Sequence, residues 1–214
     1  MRFIDTDQLT RTFSRPYLEE SAVALSAIDC VLNGEKAVYA STELTTGRRV
    51  QAALREFGGS KSSDLRRHLG EQAYADRIWN PNVEAAMAFA RRLHHSLGGN
   101  QLVVTPAPFA CPGWNQTEYL GFWETLIRTR IKAVYFNDAW EYSNGCAFEF
   151  LVAIDAGLPT FDATAAPIEL AAGITRIEEA IVALRTEGID HQALLDTFQR
   201  LQQRAVADGA TRRG

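Results

Sequence analysis

The segment AVYFNDAWEYSNGCAFEFLVAIDAGLPTF, residues 133–161, carries the clearest structural pattern of the sequence. Its pattern predicts an apolar strand over 133–136, a polar loop over 137–144, a helix over 145–156 and a second strand over 158–161. Two strands joined in this way run parallel, because the helix carries the chain back to the starting edge of the sheet. The segment therefore predicts a parallel sheet with helices on its faces.

The same alternation of strands and helices extends on both sides of this unit. The short connections favour an α/β fold with a Rossmann-like parallel sheet flanked by helices. The remaining predicted elements are strands over 36–41 and 101–105, helices over 83–97 and 115–130, and two amphipathic C-terminal helices over 168–184 and 191–207. We expect Asn82 to cap the helix over 83–97 and Gly157 to end the helix over 145–156.

The length of 214 residues fits one large domain with terminal additions. Residues 1–35 predict an N-terminal helical extension, and residues 36–214 predict the α/β domain. Within this domain we expect an insertion over about 49–79 and C-terminal helices over about 166–209.

The composition excludes several classes of protein. Hydrophobic residues make up 46% of the chain and charged residues 22%, which is typical of a globular protein. The formal net charge of −4 argues against broad electrostatic binding of nucleic acid. No stretch approaches the roughly 18 apolar residues that a membrane helix needs, so we expect no membrane partner.

The cysteines and histidines point to a chain without disulfides or metal. Cys30, Cys111 and Cys146 are odd in number and far apart, which suits reduced thiols and predicts a cytoplasmic protein. The histidines lack metal-ligand spacing with a cysteine or an acid. We therefore expect no metal and no cofactor. The four histidines are His68, His94, His95 and His191.

One stretch of the sequence is basic, although the chain as a whole has a net negative charge. Residues 48–67 carry six basic side chains against two acidic ones, Glu56 and Asp64. Such a cluster is typical of a solvated surface, and it is also compatible with a local anion site. The sequence leaves both interpretations open.

Glu149 is the most unusual residue of the sequence. It lies in the second turn of the predicted helix over 145–156, which is apolar almost all round. An unpaired carboxylate buried there would cost several kcal/mol, so it must be hydrogen-bonded, neutralised or placed at a cavity. It is either a partly exposed glutamate at one polar edge or a nucleophile or base near the helix N-terminus.

Two loops carry candidate phosphate-binding residues. Ligands of parallel sheets bind at the carboxyl ends of the strands, where Ser143 and Gly145 precede the helix of Glu149 and where Thr45, Gly47 and Arg48 follow the first strand. Each group is compatible with ordinary capping or turn formation. Each also suits a phosphate, which binds backbone N–H groups, hydroxyls and arginine.

These residues carry a family resemblance. The segment Tyr135–Phe161 resembles the nucleoside 2-deoxyribosyltransferase-like superfamily, including its nucleotide N-glycosidase branch, and Glu149 falls on the family's catalytic glutamate. Ser143 matches the serine by which the monophosphate branch contacts phosphate, where transferases of free nucleosides carry aspartate.

The first strand extends the resemblance. The segment VYASTELTTGR, residues 38–48, is similar to the opening strand and phosphate loop of that branch, with Tyr39 on the family's site tyrosine. Thr42 and Glu43 depart from the pattern, because the family has glycine and a small or hydroxyl residue there. A glutamate near a phosphate would be repulsive, so we expect Glu43 to point elsewhere or to contact the sugar.

The resemblance implies an N-glycosidase of nucleoside 5′-monophosphates in which Glu149 is the nucleophile. A second acid, Glu124 or Asp138, would protonate the departing base. The family also implies a homodimer. A nucleoside 2-deoxyribosyltransferase and a non-catalytic nucleotide sensor remain the alternatives. The aromatic residues that we expect against the base are Phe109, Trp114 and Trp140.

Overall fold

The structure is a computed structural model that describes residues 13–211. The first twelve residues of the predicted N-terminal extension and residues 212–214 lie outside the described residues. The extension is described from Phe13, and its helix α1 spans Arg15–Leu32.

The sheet confirms the predicted α/β class. Within the described residues it has four strands, all parallel, in the order β2-β1-β3-β4. These strands are β1 (Ala37–Ser41), β2 (Val103–Val104), β3 (Ile131–Phe136) and β4 (Thr160–Phe161). The second and fourth strands are shorter than predicted, since only two residues of each pair with a neighbour.

Helices cover both faces of this Rossmann-like sheet, as the sequence predicts. A π-helical turn (Ala75–Trp79) precedes one helix, and a 3-10 turn (Trp140–Tyr142) precedes another. The helices after α1 are α2 (Arg48–Phe57), α3 (Ser62–Leu69), α4 (Glu71–Tyr74), α5 (Asn80–Ser96), α6 (Gln116–Arg130), α7 (Asn144–Asp155), α8 (Leu170–Thr186) and α9 (Gln192–Thr211).

Strand alternation divides the core into two layers. Successive side chains of a strand point to opposite faces, so Val38 and Ala40 pack with Phe89 and Leu93 of α5. The alternate positions of β1 face a larger core to which helices α6–α9 contribute. Tyr39 belongs to this second set, and its side chain therefore points toward α7.

Residues 58–61 separate α2 from α3. The predicted cap of the next helix is different, because α5 begins at Asn80 with Pro81 in its first turn. Asn82 lies inside that turn and is buried. Its side chain donates to the Leu44 carbonyl at 2.7 Å and accepts from Arg49 at 2.9 Å, so it fixes the loop after β1.

Helix α1 packs closely on α6. Tyr17 and Leu32 of α1 are buried, and Arg130 at the end of α6 pairs with Asp29 at 2.6 Å. A Cβ atom on Gly121 would lie 2.6 Å from the Phe13 ring, so a glycine is needed where the extension crosses α6. No helix within the described residues is long and apolar enough to span a membrane.

Candidate functional site

A cavity of about 420 Å³ opens at the carboxyl ends of β1 and β3. These neighbouring strands flank the point where the strand order reverses, which is where ligands of such sheets bind. Its lining contains a polar group and an aromatic group of residues, which we call the polar side and the aromatic wall. The polar side includes Thr42, Thr45, Ser143, Gly145 and Glu149, and the aromatic wall includes Trp79, Phe109, Trp114, Tyr119 and Trp123.

Glu149 lines the cavity although only 5% of the residue is exposed. The Tyr39 hydroxyl donates to one carboxylate oxygen at 2.7 Å, and the Ser41 hydroxyl donates to the other at 2.5 Å. Each oxygen keeps a second lone pair. The carboxylate is therefore held by two neutral donors and still has electron pairs for a ligand.

The geometry of β1 explains why these two hydroxyls meet one carboxylate. Tyr39 and Ser41 are two residues apart, so a strand directs both side chains to the face that α7 covers. The sequence prediction named Tyr39 but missed Ser41. Strand alternation could have identified Ser41, because a polar residue two positions after a tyrosine in a strand points to the same face of the sheet.

Burial raises the pKa of Glu149 to about 7, and the hydrogen bonds from Ser41 and Tyr39 act in the opposite direction. Burial and the neighbouring Glu149 charge raise the pKa of Tyr39 well above its ordinary value, so this phenol stays protonated. The pair thus consists of a carboxyl group that titrates near neutrality and a permanent donor.

The N-terminus of α7 opens into the cavity. Ser143 is the N-cap and accepts a hydrogen bond from the Cys146 N–H at 3.4 Å. The Gly145 N–H, in the first turn, has no acceptor within its own helix, and Gly145 lines the cavity. The structure therefore brings together Ser143, Gly145 and Thr45 of the predicted phosphate-binding residues.

Gly47 and Arg48 do not line this cavity. They form the start of α2, where Arg48 is exposed and its guanidinium lies 5.0 Å from the centre of the Tyr142 ring. Gly47 instead borders a separate depression, which Thr46 also lines. The two halves of the predicted phosphate loop thus face different spaces.

Phe109 and Trp114, two of the predicted base-binding residues, lie in the aromatic wall. Phe109 stacks on Phe122 with ring centres 4.7 Å apart, and its centre is 5.8 Å from that of Trp114. Helix α1 supports this wall, since the Trp114 indole N–H donates to Glu20 at 2.7 Å and Tyr17 makes an edge contact with the indole ring at 4.8 Å. The sequence prediction assigned no such role to the extension.

Trp140 is a correction to the predicted aromatic wall. Only 2% of it is exposed, and it does not line the cavity. The 3-10 turn directs its indole inward onto Phe136 and Phe150, at centre distances of 4.7 and 4.9 Å. Apolar packing in the core therefore decided the position of this ring.

Neither predicted second acid lines the cavity. Glu124 lies on α6 and pairs with Arg128 at 2.9 Å. Asp138 is exposed in the loop after β3. Neither carboxyl group is therefore placed to protonate a base bound within these cavity walls.

The insertion contributes Trp79 and Arg66 to the edge of the cavity. All six basic side chains of the cluster are exposed. Three of them form surface ion pairs: Arg55 with Glu187, Arg66 with Glu71, and Arg67 with Asp64. Pairs this exposed contribute little energy. The solvated-surface interpretation accounts for most of the cluster.

The buried hydroxyl of Thr42 points to a ligand. Thr42 lines the cavity and is 6% exposed, and its hydroxyl has no hydrogen-bond partner among the described residues. A buried polar group without a partner costs about 1–3 kcal/mol. A ligand hydroxyl or phosphate in the cavity would satisfy it.

Among residues 13–211, no group of three or more His, Cys, Asp or Glu side chains is arranged to hold a metal ion. Compared with protein-family models, curated proteins and solved structures, the chain gives no match. The functional argument therefore rests on the geometry of the cavity.

Proposed function

We propose that this protein is a hydrolase that cleaves the N-glycosidic bond of a nucleoside 5′-monophosphate, with Glu149 as its nucleophile. The observation that carries the proposal is the buried Glu149 carboxylate, held by Tyr39 and Ser41 at the polar side of a cavity with an aromatic wall. A nucleotide has the same division into an aromatic base and a polar sugar phosphate.

The substrate would span the cavity from wall to wall. The base would stack in the aromatic wall, where Phe109 and Trp114 present their rings. The phosphate would accept hydrogen bonds from the Ser143 hydroxyl and the Gly145 N–H at the α7 N-terminus, where the helix dipole favours an anion. This placement leaves the sugar beside Glu149.

The reaction would proceed in two displacements at the anomeric carbon. A Glu149 oxygen attacks this carbon, the carbon–nitrogen bond breaks, and the base departs with the electron pair and takes a proton from water. A second water then attacks the glycosyl ester and loses a proton to solvent, which releases the sugar phosphate and restores the carboxylate. One water is consumed in total.

Tyr39 and Ser41 would tune Glu149 for both halves of this reaction. A nucleophile must be ionised, and a pKa of about 7 leaves a substantial fraction of the carboxyl groups charged at neutral pH. The two hydroxyls fix the orientation of the carboxylate and stabilise its charge when the ester breaks.

The proposal is tested by chromatography of free base after incubation with ribo- and deoxyribonucleoside monophosphates and the matching nucleosides. We expect base release from at least one monophosphate and a loss of about 1,000-fold or more in Glu149→Gln. The matched control is Glu178→Gln, an exposed carboxyl group on α8, which should retain wild-type activity. No base release from any member of the panel would refute the proposal.

The same experiment separates the two alternatives. A deoxyribosyltransferase would release base only when a second base is supplied to capture the glycosyl ester. A sensor would bind nucleotide without releasing base, and Glu149→Gln would bind it as tightly as the wild type.

A further inference from the structure

Glu43 lies in the loop between β1 and α2, the loop that resembles a phosphate-binding loop. Its carboxylate accepts a hydrogen bond from the Arg48 backbone N–H at 2.9 Å and another from the Arg49 backbone N–H. These are the first two amides of α2. The chain's own carboxylate therefore occupies the anion position at this helix N-terminus.

Gly47 is shaped to admit the carboxylate. Its φ is +114°, and a Cβ atom built on it would lie 2.0 Å from a Glu43 carboxylate oxygen. Any other residue at this position would expel the carboxylate or strain the backbone. The glycine that resembles part of a phosphate loop is thus explained by an internal contact.

The surrounding loop is held in place on both sides. Asn82 fixes the Leu44 carbonyl from α5. Thr46 accepts from the Asn144 N–H at 3.0 Å and lies 3.2 Å from the Ser143 hydroxyl oxygen. A phosphate could reach the α2 amides only if Glu43 left a loop that is otherwise fixed.

We infer that Glu43 is a specificity residue that keeps a substrate phosphate off the α2 N-terminus and confines it to the α7 N-terminus. The inference rests on the proposed function, since it names the groups that receive the phosphate. The α7 end has the features of a ligand site, because Ser143 and Gly145 line the cavity together with the unpartnered hydroxyl of Thr42. At the α2 N-terminus, the Glu43 carboxylate already occupies the anion position.

Glu43 also affects which substrates the cavity prefers. Glu43 and the phosphate are both negative, and Leu44 and Thr45, the next residues of the loop, line the cavity. Repulsion between the Glu43 carboxylate and the phosphate weakens the binding of a monophosphate and does not affect an uncharged nucleoside. Glu43 therefore limits the preference of the site for phosphorylated substrates.

The first test uses the wild-type protein and ribose 5-phosphate, with backbone amide NMR shifts as the readout. We expect the largest shifts at Gly145 and Cys146, with the Arg48 and Arg49 amides nearly unchanged. Shifts that are largest at Arg48 and Arg49, or no binding at all, would overturn the inference. This result does not depend on base release, so its failure is distinct from failure of the proposed function.

The second test compares Glu43→Gln with the wild type by calorimetric titration of ribose 5-phosphate. Glutamine retains the size and an acceptor oxygen but removes the charge, so we expect binding about tenfold tighter and no change for ribose. Glu84→Gln, an exposed carboxyl group on α5, controls for net charge. Unchanged or weaker ribose 5-phosphate binding by a folded Glu43→Gln protein would contradict the inference.

Discussion

Helices α2 and α7 begin side by side at the same edge of the sheet, yet their N-termini differ. The Glu43 carboxylate closes the α2 terminus, whereas the α7 terminus has the short N-cap Ser143 and opens into the cavity. Thr46 joins the two through its contacts with Ser143 and Asn144. A helix N-terminus is therefore available to an anion only where the chain's own side chains leave it free.

The largest expected effect comes from closing the open terminus. Ser143→Asp places a carboxylate at the α7 N-terminus, as Glu43 does at α2, and aspartate remains a good N-cap. We expect kcat/KM for the preferred monophosphate to fall about 100-fold or more, because the new charge repels the phosphate. Hydrolysis of the matching nucleoside should fall much less.

The measurement is the ratio of kcat/KM for the monophosphate to that for the nucleoside, in wild type and Ser143→Asp. Thermal unfolding of both proteins checks that the cap is preserved. Equal losses on the two substrates would mean that the α7 terminus does not hold the phosphate.

A second prediction concerns Glu149, which lies in helix α7 behind the open N-terminus. Glu149 is held by side-chain hydroxyls, whereas Glu43 is held by helix amides. If ionised Glu149 is the nucleophile, kcat/KM rises with pH and levels off above a midpoint near 7, and at pH 6 it is about a tenth of its plateau value.

Ser41→Ala should move this midpoint to higher pH. The substitution removes a donor that stabilises the charged form, so the carboxyl group holds its proton longer. Titration of the substrate phosphate affects wild type and variant equally. The difference between their pH profiles of kcat/KM therefore reports the titration of a group on the enzyme. A midpoint that stays in place or falls would show that another group limits the reaction.

We expect the smallest effect from a change to a residue that supports the aromatic wall of the cavity. Glu20→Ala removes the acceptor of the Trp114 indole N–H, and we expect KM to rise about threefold for nucleoside and monophosphate alike, with kcat nearly unchanged. Glu20→Gln, which retains an acceptor oxygen, should restore KM. A loss confined to the monophosphate would place the phosphate at the aromatic wall and break the comparison.

Much of the fold could be predicted from local pattern. The parallel α/β unit could be predicted from its apolar strands and from the helix of Glu149, which ends at Gly157. The hydrophobic periodicity of each element depends only on residues that are close in sequence. Within the site, Glu149 stands out as a carboxylate in an apolar helix. The cavity contains it together with Ser143, Gly145, Thr45, Phe109 and Trp114.

The missed features depend on side chains that are distant in sequence. Trp140 looked like a loop aromatic, but Phe136 and Phe150 bury it. Asn82 looked like a helix cap, but it fixes the loop after β1. The family resemblance, the catalytic activity, the homodimer and the cytoplasmic location stay predictions.

Local patterns along the chain are enough to predict the strand–helix order, the parallel sheet and the unusual position of Glu149 in an apolar helix, since period and composition indicate which residues enter the core. Packing between distant segments is needed to bring Ser41 and Tyr39 together on Glu149, to support Trp114 with α1, and to place Glu43 at one of two neighbouring helix N-termini. The hydrogen bonds to Glu149 and from Trp114 join residues 94 to 110 positions apart and therefore depend on three-dimensional packing. Even the five-residue span from Glu43 to Arg48 closes only because Gly47 adopts a positive φ.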